Sequence, residues 1–589
     1  MTTPSIAKLT LQAGGIGVAV LLVYVAGACP TIYVGDSGEL VTAVDVLGIP
    51  HPTGYPLYVL LGKLWTILLP FGSIAWRMSL FSAFAGAAAC ASLYVLGRSS
   101  GLSPLAGAVS ALCLAFSDSF WSEANIQRVY TLGALFVVLA TMAVFRWHAH
   151  RRTPTLCLAF FLCGVGASNH TFMAVYAVAL AGWAAMLERD RLLRPRVLIA
   201  VAAAFALGLL PYAYLPLRSA QNPPLDWGNP ETLRGFLGVV LRLDFWNRSW
   251  VQGPMDLVAV VWDYLRSFVV ELSPAGSVLV VAGIVAARWR QWPAAVLLVV
   301  MAANVAVVAL HGSRADIFIW HRYYIPSYAI GALFVGAAVE AAFTLLPRQA
   351  RWAVLALPLS LLVTGWRSHD RSQYEIADAY ARTVLLAVPP GAHLAATDDN
   401  ILFSLIYVTM VEKQRPDVHL IMQGVGAADL PPLHFDAQAE RLFFTHHPNW
   451  NLPGLEIVPV GLVFEARRPG AEAPYPVVPR DVLPGEEDPS VPKDYLTQNL
   501  IGDFHYMLGF SLLNHDRQRA LHELARAAAS APNNPTLFYN LGLLYQRLGL
   551  ADPALAAFRR SHHIEPRPLA TRSHPRAADR IAELMTAPR

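Results

Sequence analysis

Tyr55-Pro56-Leu57-Tyr58-Val59-Leu60-Leu61-Gly62-Lys63-Leu64-Trp65-Thr66-Ile67-Leu68-Leu69-Pro70 is the stretch on which the reading of this fold turns. The run is apolar enough to enter a membrane, yet it falls short of the roughly 20 residues that a crossing helix needs. It contains Lys63 and has a proline near each end. Counted as a span, it would turn every later basic loop to the outer side. It is therefore read as an interfacial or re-entrant helix belonging to the first outer loop.

Outward from that segment, the chain divides. Of its 589 residues, 55% are hydrophobic and only 14% charged, where soluble proteins carry about 25% charged residues. Candidate spans lie at 9–29, 78–97, 104–118, 128–146, 155–169, 171–187, 197–217, 275–287, 293–311, 324–346 and 352–366, about eleven in all. The first is read as a retained helix, because no convincing small-residue cleavage site follows it. With the N-terminus inside, the inner gaps hold Arg98, Arg146, Arg151, Arg152, Arg189, Arg191, Arg194, Arg196, Arg288, Arg290, Arg348 and Arg351. The outer gaps are longer and hold most of the acids, among them Asp36, Glu39, Asp118, Glu123, Asp226 and Asp316. Cytoplasmic loops are enriched in Lys and Arg, so the charges agree with this orientation. An odd number of spans leaves the C-terminal part outside.

The expected organisation is an all-α polytopic membrane domain over 1–366, a soluble outer-side α/β domain over 367–490 and a helical module over 491–589. Residues 371–385 look helical, and 392–397, 400–411 and 418–422 read as strand, helix and strand. Phe538, Leu541-Gly542, Tyr545, Ala554, Phe558 and Pro566 match the spacing of a tetratricopeptide repeat (TPR). A poorer copy, with Leu508-Gly509, Ala520, Leu524 and Pro532, precedes it by one period. Such helix pairs serve protein contact or act as a structural cap. A net charge of +4 without a basic tract argues against nucleic acid. All five cysteines lie in apolar segments, which gives no disulfide framework and no metal-ligand spacing.

Polar residues near a membrane are costly unless they line a cavity or do work, and here they gather on the outer side. The first loop carries Gly35-Asp36-Ser37-Gly38-Glu39 and then His51-Pro52-Thr53-Gly54-Tyr55. The second holds Glu123, Arg128 and Tyr130, the third Asn169-His170, the fourth Arg218 and Asp226-Trp227-Gly228-Asn229-Pro230, and the fifth Arg314 and Arg322. Acids, histidines, arginines and aromatics on one face suit a reaction on a charged lipid headgroup. A hydroxyl acceptor needs a carboxylate base within reach, and a phosphate leaving group needs cations. Lys63, Arg218, Arg314 and Arg322 are the unranked choices for the latter. Ser37 and Glu39 read equally well as a helix start, with Ser37 the cap. His51 and His170 either orient a headgroup or hydrogen-bond within the bundle.

The run Gly35-Asp36-Ser37-Gly38-Glu39-Leu40, followed by His51-Pro52-Thr53-Gly54-Tyr55-Pro56-Leu57-Tyr58, resembles the signature of a family of multispanning membrane proteins. That family includes the mammalian endoplasmic-reticulum protein O-mannosyltransferase acting on plexin-type and Met-type receptors. The arrangement is also similar to the wider GT-C class of glycosyltransferases. The resemblance covers most of residues 9–420. It implies a polyprenyl-phosphate sugar donor, with mannose as the sugar, and an acceptor on the outer face. It makes Asp36 the catalytic base and Glu39 its close neighbour. The family's usual His-Pro-Pro-Gly appears as His51-Pro52-Thr53-Gly54, and its usual Glu-Val-Tyr as Arg128-Val129-Tyr130. The second change puts a base where an acid is usual, with Glu123 nearby.

The expected activity is transfer of the sugar to a Ser or Thr hydroxyl by a single inverting displacement. No metal and no resident cofactor are expected, since one acidic pair without a third carboxylate is a poor divalent site. The expected partners are the lipid bilayer, the lipid-linked sugar, a protein or glycan acceptor, and a protein docking on the TPR-like helices. The Ala-, Arg- and Pro-rich composition points to a bacterial inner membrane with the C-terminal part in the periplasm. The competing readings are a transporter or flippase of a lipid-linked substrate and a non-catalytic membrane scaffold.

Overall fold

Serine and proline punctuate the apolar runs and set where the helices start. Ser5, Ser73 and Ser103 each accept, through the side-chain oxygen, a backbone N–H three residues on, satisfying a donor that a helix N-terminus otherwise leaves open. Prolines occupy first-turn positions of several others, where the missing N–H costs nothing. The computed structural model describes residues 5–244, 251, 253–311, 319, 321–422, 441–448, 452–470, 478, 480–565 and 576–586. The chain forms two units, one comprising Met1–Ile32 and Glu39–Tyr374, the other Tyr33–Gly38, Glu375–Gly424 and Leu430–Arg589.

The first unit is helical. In order, it contains α1 (Ile6–Ala26), most of α2 (Ser37–Val46), α3 (Pro56–Leu68), α4 (Ile74–Ser99), α5 (Pro104–Ala115), α6 (Asp118–Ala124), α7 (Tyr130–His150) and α8 (Thr153–Ala167). There follow α9 (Phe172–Leu192), α10 (Pro195–Gly208), α11 (Tyr214–Ser219), α12 (Leu233–Val240), α13 (Pro254–Trp289), α14 (Ala294–His311), α15 (Ile325–Ala342) and α16 (Ala356–His369). Among the described residues, α1, α4, α7, α9, α13 and α15 with its leading turn are long and apolar enough to cross a membrane. Two bent pairs bring that number to as many as eight. One is α5 with α6, bent by 68°, and the other is α10 with the helical stretch Leu210–Ser219, bent by 49°. The sequence-predicted spans at 155–169, 293–311 and 352–366 fall on α8, α14 and α16, which are shorter.

Helix α3 has 13 residues, about 20 Å at 1.5 Å per residue, against a hydrocarbon core of roughly 30 Å. Its Leu60, Leu64, Ile67 and Leu68 form an exposed apolar stripe. Helix α13 differs from expectation. It has 36 residues and breaks at Ser273, whose φ of 66° precedes Pro274. Only 275–287 was readable as a span, because Asp256, Asp263, Arg266 and Glu271 interrupt the hydropathy of its first half.

The helices pack closely through small residues, as helices in lipid do. A Cβ on Gly283 of α13 would collide with the Phe334 carbonyl of α15, and one on Gly164 of α8 with the Phe205 carbonyl of α10. Buried glutamates tie other helices together. Glu340 of α15 accepts the Ser103 N–H at the start of α5 at 2.7 Å. Glu271 of α13 accepts the Ser119 N–H of α6 at 2.9 Å and its hydroxyl as well.

The second unit holds α17 (Ile376–Ala387), α18 (Asp399–Ile406) and a small sheet of β1 (His393–Ala396), β2 (His419–Met422), β3 (Leu442–Phe444), β4 (Glu456–Val460) and β5 (Val463–Arg467). The strand order is β2-β1-β3-β5-β4. β1 lies parallel to β2 and β3, and β5 antiparallel to β3 and β4. Four helices follow as two packed pairs: α19 (Tyr495–Leu512) with α20 (Arg517–Ser530), and α21 (Pro535–Arg547) with α22 (Ala551–Ile564); α23 (Ala577–Thr586) packs on α22. His505 is wholly buried, with Nδ1 2.7 Å from Glu523 and Nε2 2.5 Å from Glu486. Burial alone would lower the imidazole pKa, but the hydrogen bonds to the two glutamates outweigh it and hold it above the usual value.

Two outcomes are expected. Gly283→Val should destabilise the first unit by on the order of 1–3 kcal/mol, whereas Gly14→Val, where a Cβ meets nothing within 4 Å, should leave the melting temperature in detergent unchanged. The raised His505 pKa gives stability that is full below the unfolded histidine value of about 6.5 and is lost as pH rises through the folded value. Protease resistance of the second unit should therefore fall on the alkaline side, and His505→Gln should lower it at acid pH and flatten that dependence.

Candidate active site

Gly35, at φ 78°, makes the turn that leads into α2. Asp36 lies immediately ahead of that helix and is half-buried, while Glu39 in its first turn is completely buried. Within the second unit, Gly38 has no room for a side chain, since a Cβ there would collide with the Phe403 carbonyl.

In the first unit Glu39 is joined to the His51 turn. One carboxylate oxygen accepts the His51 backbone N–H at 2.8 Å, and the other lies 2.5 Å from Nδ1. His51 Nε2 is 3.0 Å from the Tyr55 hydroxyl. Tyr55 caps α3 in the left-handed conformation at φ 40°. The Trp227 ring stands edge-on to His51 with centroids 6.1 Å apart. Trp227 is brought there by backbone pairing: Ile49 N–H donates to the Leu225 carbonyl at 2.7 Å, and Trp227 N–H to the Ile49 carbonyl at 3.0 Å. The first and fourth loops, far apart in sequence, thus form one edge-paired element.

Two cations expected near a headgroup lie at the other end of α2. Arg218 donates to the carbonyls of Leu47 at 2.7 Å and Val46 at 3.0 Å, and Lys63 donates to the Asp45 carbonyl at 2.6 Å. Both positions suit the negative end of the helix dipole. In the second loop the Arg128 side chain is 1% exposed and its Nε is 3.9 Å from the Glu123 carboxylate. Nearby polar side chains serve the backbone. Gln127 donates to the Thr31 carbonyl, Asn125 to that of His369 and Asn169 to that of Val129.

Tyr130, His170 and Arg322 come together in a separate cleft. Its apolar wall comes from Gly133, Ala134 and Val137 of α7, Phe172 and Met173 of α9, and Ile325 and Pro326 of α15. Tyr323, which the sequence reading passed over, completes it, 5.9 Å from Tyr130 between ring centroids; its adjacency to Arg322 was the available signal. Desolvation, helped by the charges of Arg242 and His51, depresses the His170 pKa to about 3, so the ring stays neutral. Arg314 lies outside the described residues. Among the described residues, no three His, Cys, Asp or Glu side chains gather as a metal site.

Removing one partner of a buried ion pair costs on the order of 3–5 kcal/mol. Arg128→Met should therefore destabilise the first unit by about that amount, and adding Glu123→Gln should restore part of the loss in thermal denaturation.

Comparison with known proteins places these features. Residues 36–194 match the model of the family described as the Protein O-mannosyl-transferase TMEM260 N-terminal domain. The chain is 29% identical over 461 residues to Protein O-mannosyl-transferase TMEM260 of Mus musculus, covering 73% of this chain and 64% of that one. It is 21% identical over 460 residues to the Dictyostelium discoideum protein of the same name, covering 69% and 56%. The chain thus spans less than two thirds of the length of these curated relatives. Among solved structures, ArnT from Cupriavidus metallidurans in the apo state superposes with a TM-score of 0.52 at 13% identity, covering 77% of this chain and 97% of that one. The first-loop motif from Asp36 onward and Arg128-Val129-Tyr130 both fall inside the matched region. Residues 36–194 therefore match the TMEM260 N-terminal domain, and the helical membrane architecture around them has the fold of ArnT.

Proposed function

We propose that the chain is a membrane glycosyltransferase of the GT-C type. It moves a sugar, mannose by its relatives, from a polyprenyl-phosphate donor to a Ser or Thr hydroxyl of a protein. The observation that carries this reading is the Tyr130–His170–Arg322–Tyr323 cleft. A guanidinium, a neutral imidazole and two phenols border an apolar wall there. That combination suits a phosphate ester whose tail remains in lipid, because Arg matches phosphate geometry and phenols offer amphipathic contact. The TMEM260 relatives, named as protein O-mannosyl-transferases, support the acceptor class.

In the reaction Asp36 takes the proton of the acceptor hydroxyl, and its role rests on the family motif. The acceptor oxygen attacks the anomeric carbon. The bond from that carbon to the phosphate oxygen breaks, and the polyprenyl phosphate leaves with the electron pair, its charge met by Arg322. One displacement inverts the anomeric centre. Around this reaction we place about eleven crossings, a small α/β domain, and a TPR-like pair of helix hairpins (α19–α20 and α21–α22) that receives a protein partner. The Ala-, Arg- and Pro-rich composition supports a bacterial inner membrane, and the charge distribution of the loops supports a periplasmic placement of residues 367–589.

Purified protein in lipid nanodiscs, given polyprenyl-phosphate mannose and a Ser/Thr-containing acceptor, should release polyprenyl phosphate. Loss of a general base typically costs about 10²–10⁴ in rate, so Asp36→Asn should lower turnover by that factor with unchanged folding. No release with any polyprenyl-phosphate sugar, where a control GT-C enzyme is active, overturns the proposal.

A further inference from the structure

Glycine weakens a helix relative to alanine, yet Gly38 stands in the first turn of α2, two residues after Asp36. The close approach of another backbone explains its presence. A Cβ at residue 38 would collide with the Phe403 carbonyl oxygen of α18 and would lie 2.6 Å from the carbonyl carbon. We propose that Gly38 is a positioning residue for the catalytic base: by seating the Asp36 turn on the backbone of α18, it fixes where the carboxylate stands.

The segment that carries Asp36 is built into the second unit, which holds Tyr33–Gly38 together with α18 and α19. It is fastened at both ends. At one end Gly38 lies against Phe403. At the other, the Thr497 hydroxyl of α19 donates to the Tyr33 hydroxyl at 3.3 Å, and both side chains are buried. Thr497 is set in turn by the cap of α19, where Asp494 accepts its backbone N–H at 2.9 Å. Between these two contacts Gly35 turns the chain at φ 78°, and Val34 and Ser37 are wholly buried. Asp36 alone of Tyr33–Gly38 is partly exposed.

The seat itself is firm. Leu402, Phe403 and Ser404 of α18 are buried, and the helix is capped by Asp398, which accepts the Asn400 N–H at 2.9 Å. A side chain at residue 38 is therefore accommodated by moving the Asp36 turn rather than the helix. A carboxylate serves as general base only within hydrogen-bond reach of the hydroxyl it deprotonates. The two backbones would part by on the order of 1 Å, and a displacement of that size at a reacting group costs about 10²-fold in rate.

This inference rests on the glycosyltransferase reading with Asp36 as base, so the test begins with turnover of polyprenyl-phosphate mannose by the wild type and by Asp36→Asn in nanodiscs. Gly38→Ala should lower kcat by about 10²-fold and leave KM for the donor unchanged. The double variant separates positioning from stability. Because Gly38 acts through Asp36, adding Gly38→Ala to Asp36→Asn should cause no further fall, whereas a glycine needed only for folding costs the same factor in both backgrounds. Thr497→Val loosens the other end of the segment without adding volume. It should lower kcat in the wild type and likewise add nothing to Asp36→Asn. If Gly38→Ala does not fold, the same comparison made with Thr497→Val decides. Equal losses in the two backgrounds, or Gly38→Ala activity within about threefold of wild type, far short of that loss, overturn the inference while leaving the transferase reading intact. Full activity of Asp36→Asn overturns the inference together with the role of Asp36, and absence of wild-type turnover overturns the transferase reading as well.

Discussion

Every break in a membrane helix exposes backbone groups that lipid will not satisfy, and this fold answers that constraint with buried carboxylates borrowed from elsewhere in the chain. Glu340 closes the start of α5, and Glu271 the start of α6 beyond the 68° bend. Glu39 does the same for the His51 turn. The side-chain amides of Asn125, Gln127 and Asn169 complement them by donating to orphaned carbonyls. Helices are thereby permitted to stop and turn inside the protein. The non-helical connections that result are where the aromatic and charged side chains of the cleft and the His51 cluster are mounted.

The sequence exposed the pattern of this architecture more readily than its contacts. Residues 55–70 were legible as a short helix, because length and proline placement are local properties, and α3 follows them closely. The apolar run at 104–118 gave no hint of its bend, since composition carries no direction. The first half of α13 was hidden by its own charges, of which Glu271 is entirely buried and Asp256 nearly so. In the second unit, His505 gave no periodic signal at all; its importance comes from two glutamates, one on a neighbouring helix and one on a loop.

The candidate site shows the same division. Residue types that suit sugar-phosphate chemistry were visible in the loops, and Tyr130, His170 and Arg322 do share one cleft. What sequence does not carry is the partner of each group. Arg218 and Lys63 look like Arg322 on paper, yet both bond to the terminal carbonyls of α2. Arg128, a base where the family resemblance leads one to expect an acid, is buried beside Glu123.

The pairing of Ile49 with Leu225 and Trp227 has a mechanical meaning. Its two backbone hydrogen bonds clamp the first and fourth loops into a single plate, and Arg218 and Tyr214 rivet the same plate to the end of α2. Neither loop is able to swing alone. His51 and Trp227 are carried on this plate as one body. An insertion between residues 224 and 230 would therefore be felt at residue 49 before it was felt anywhere nearer in the chain.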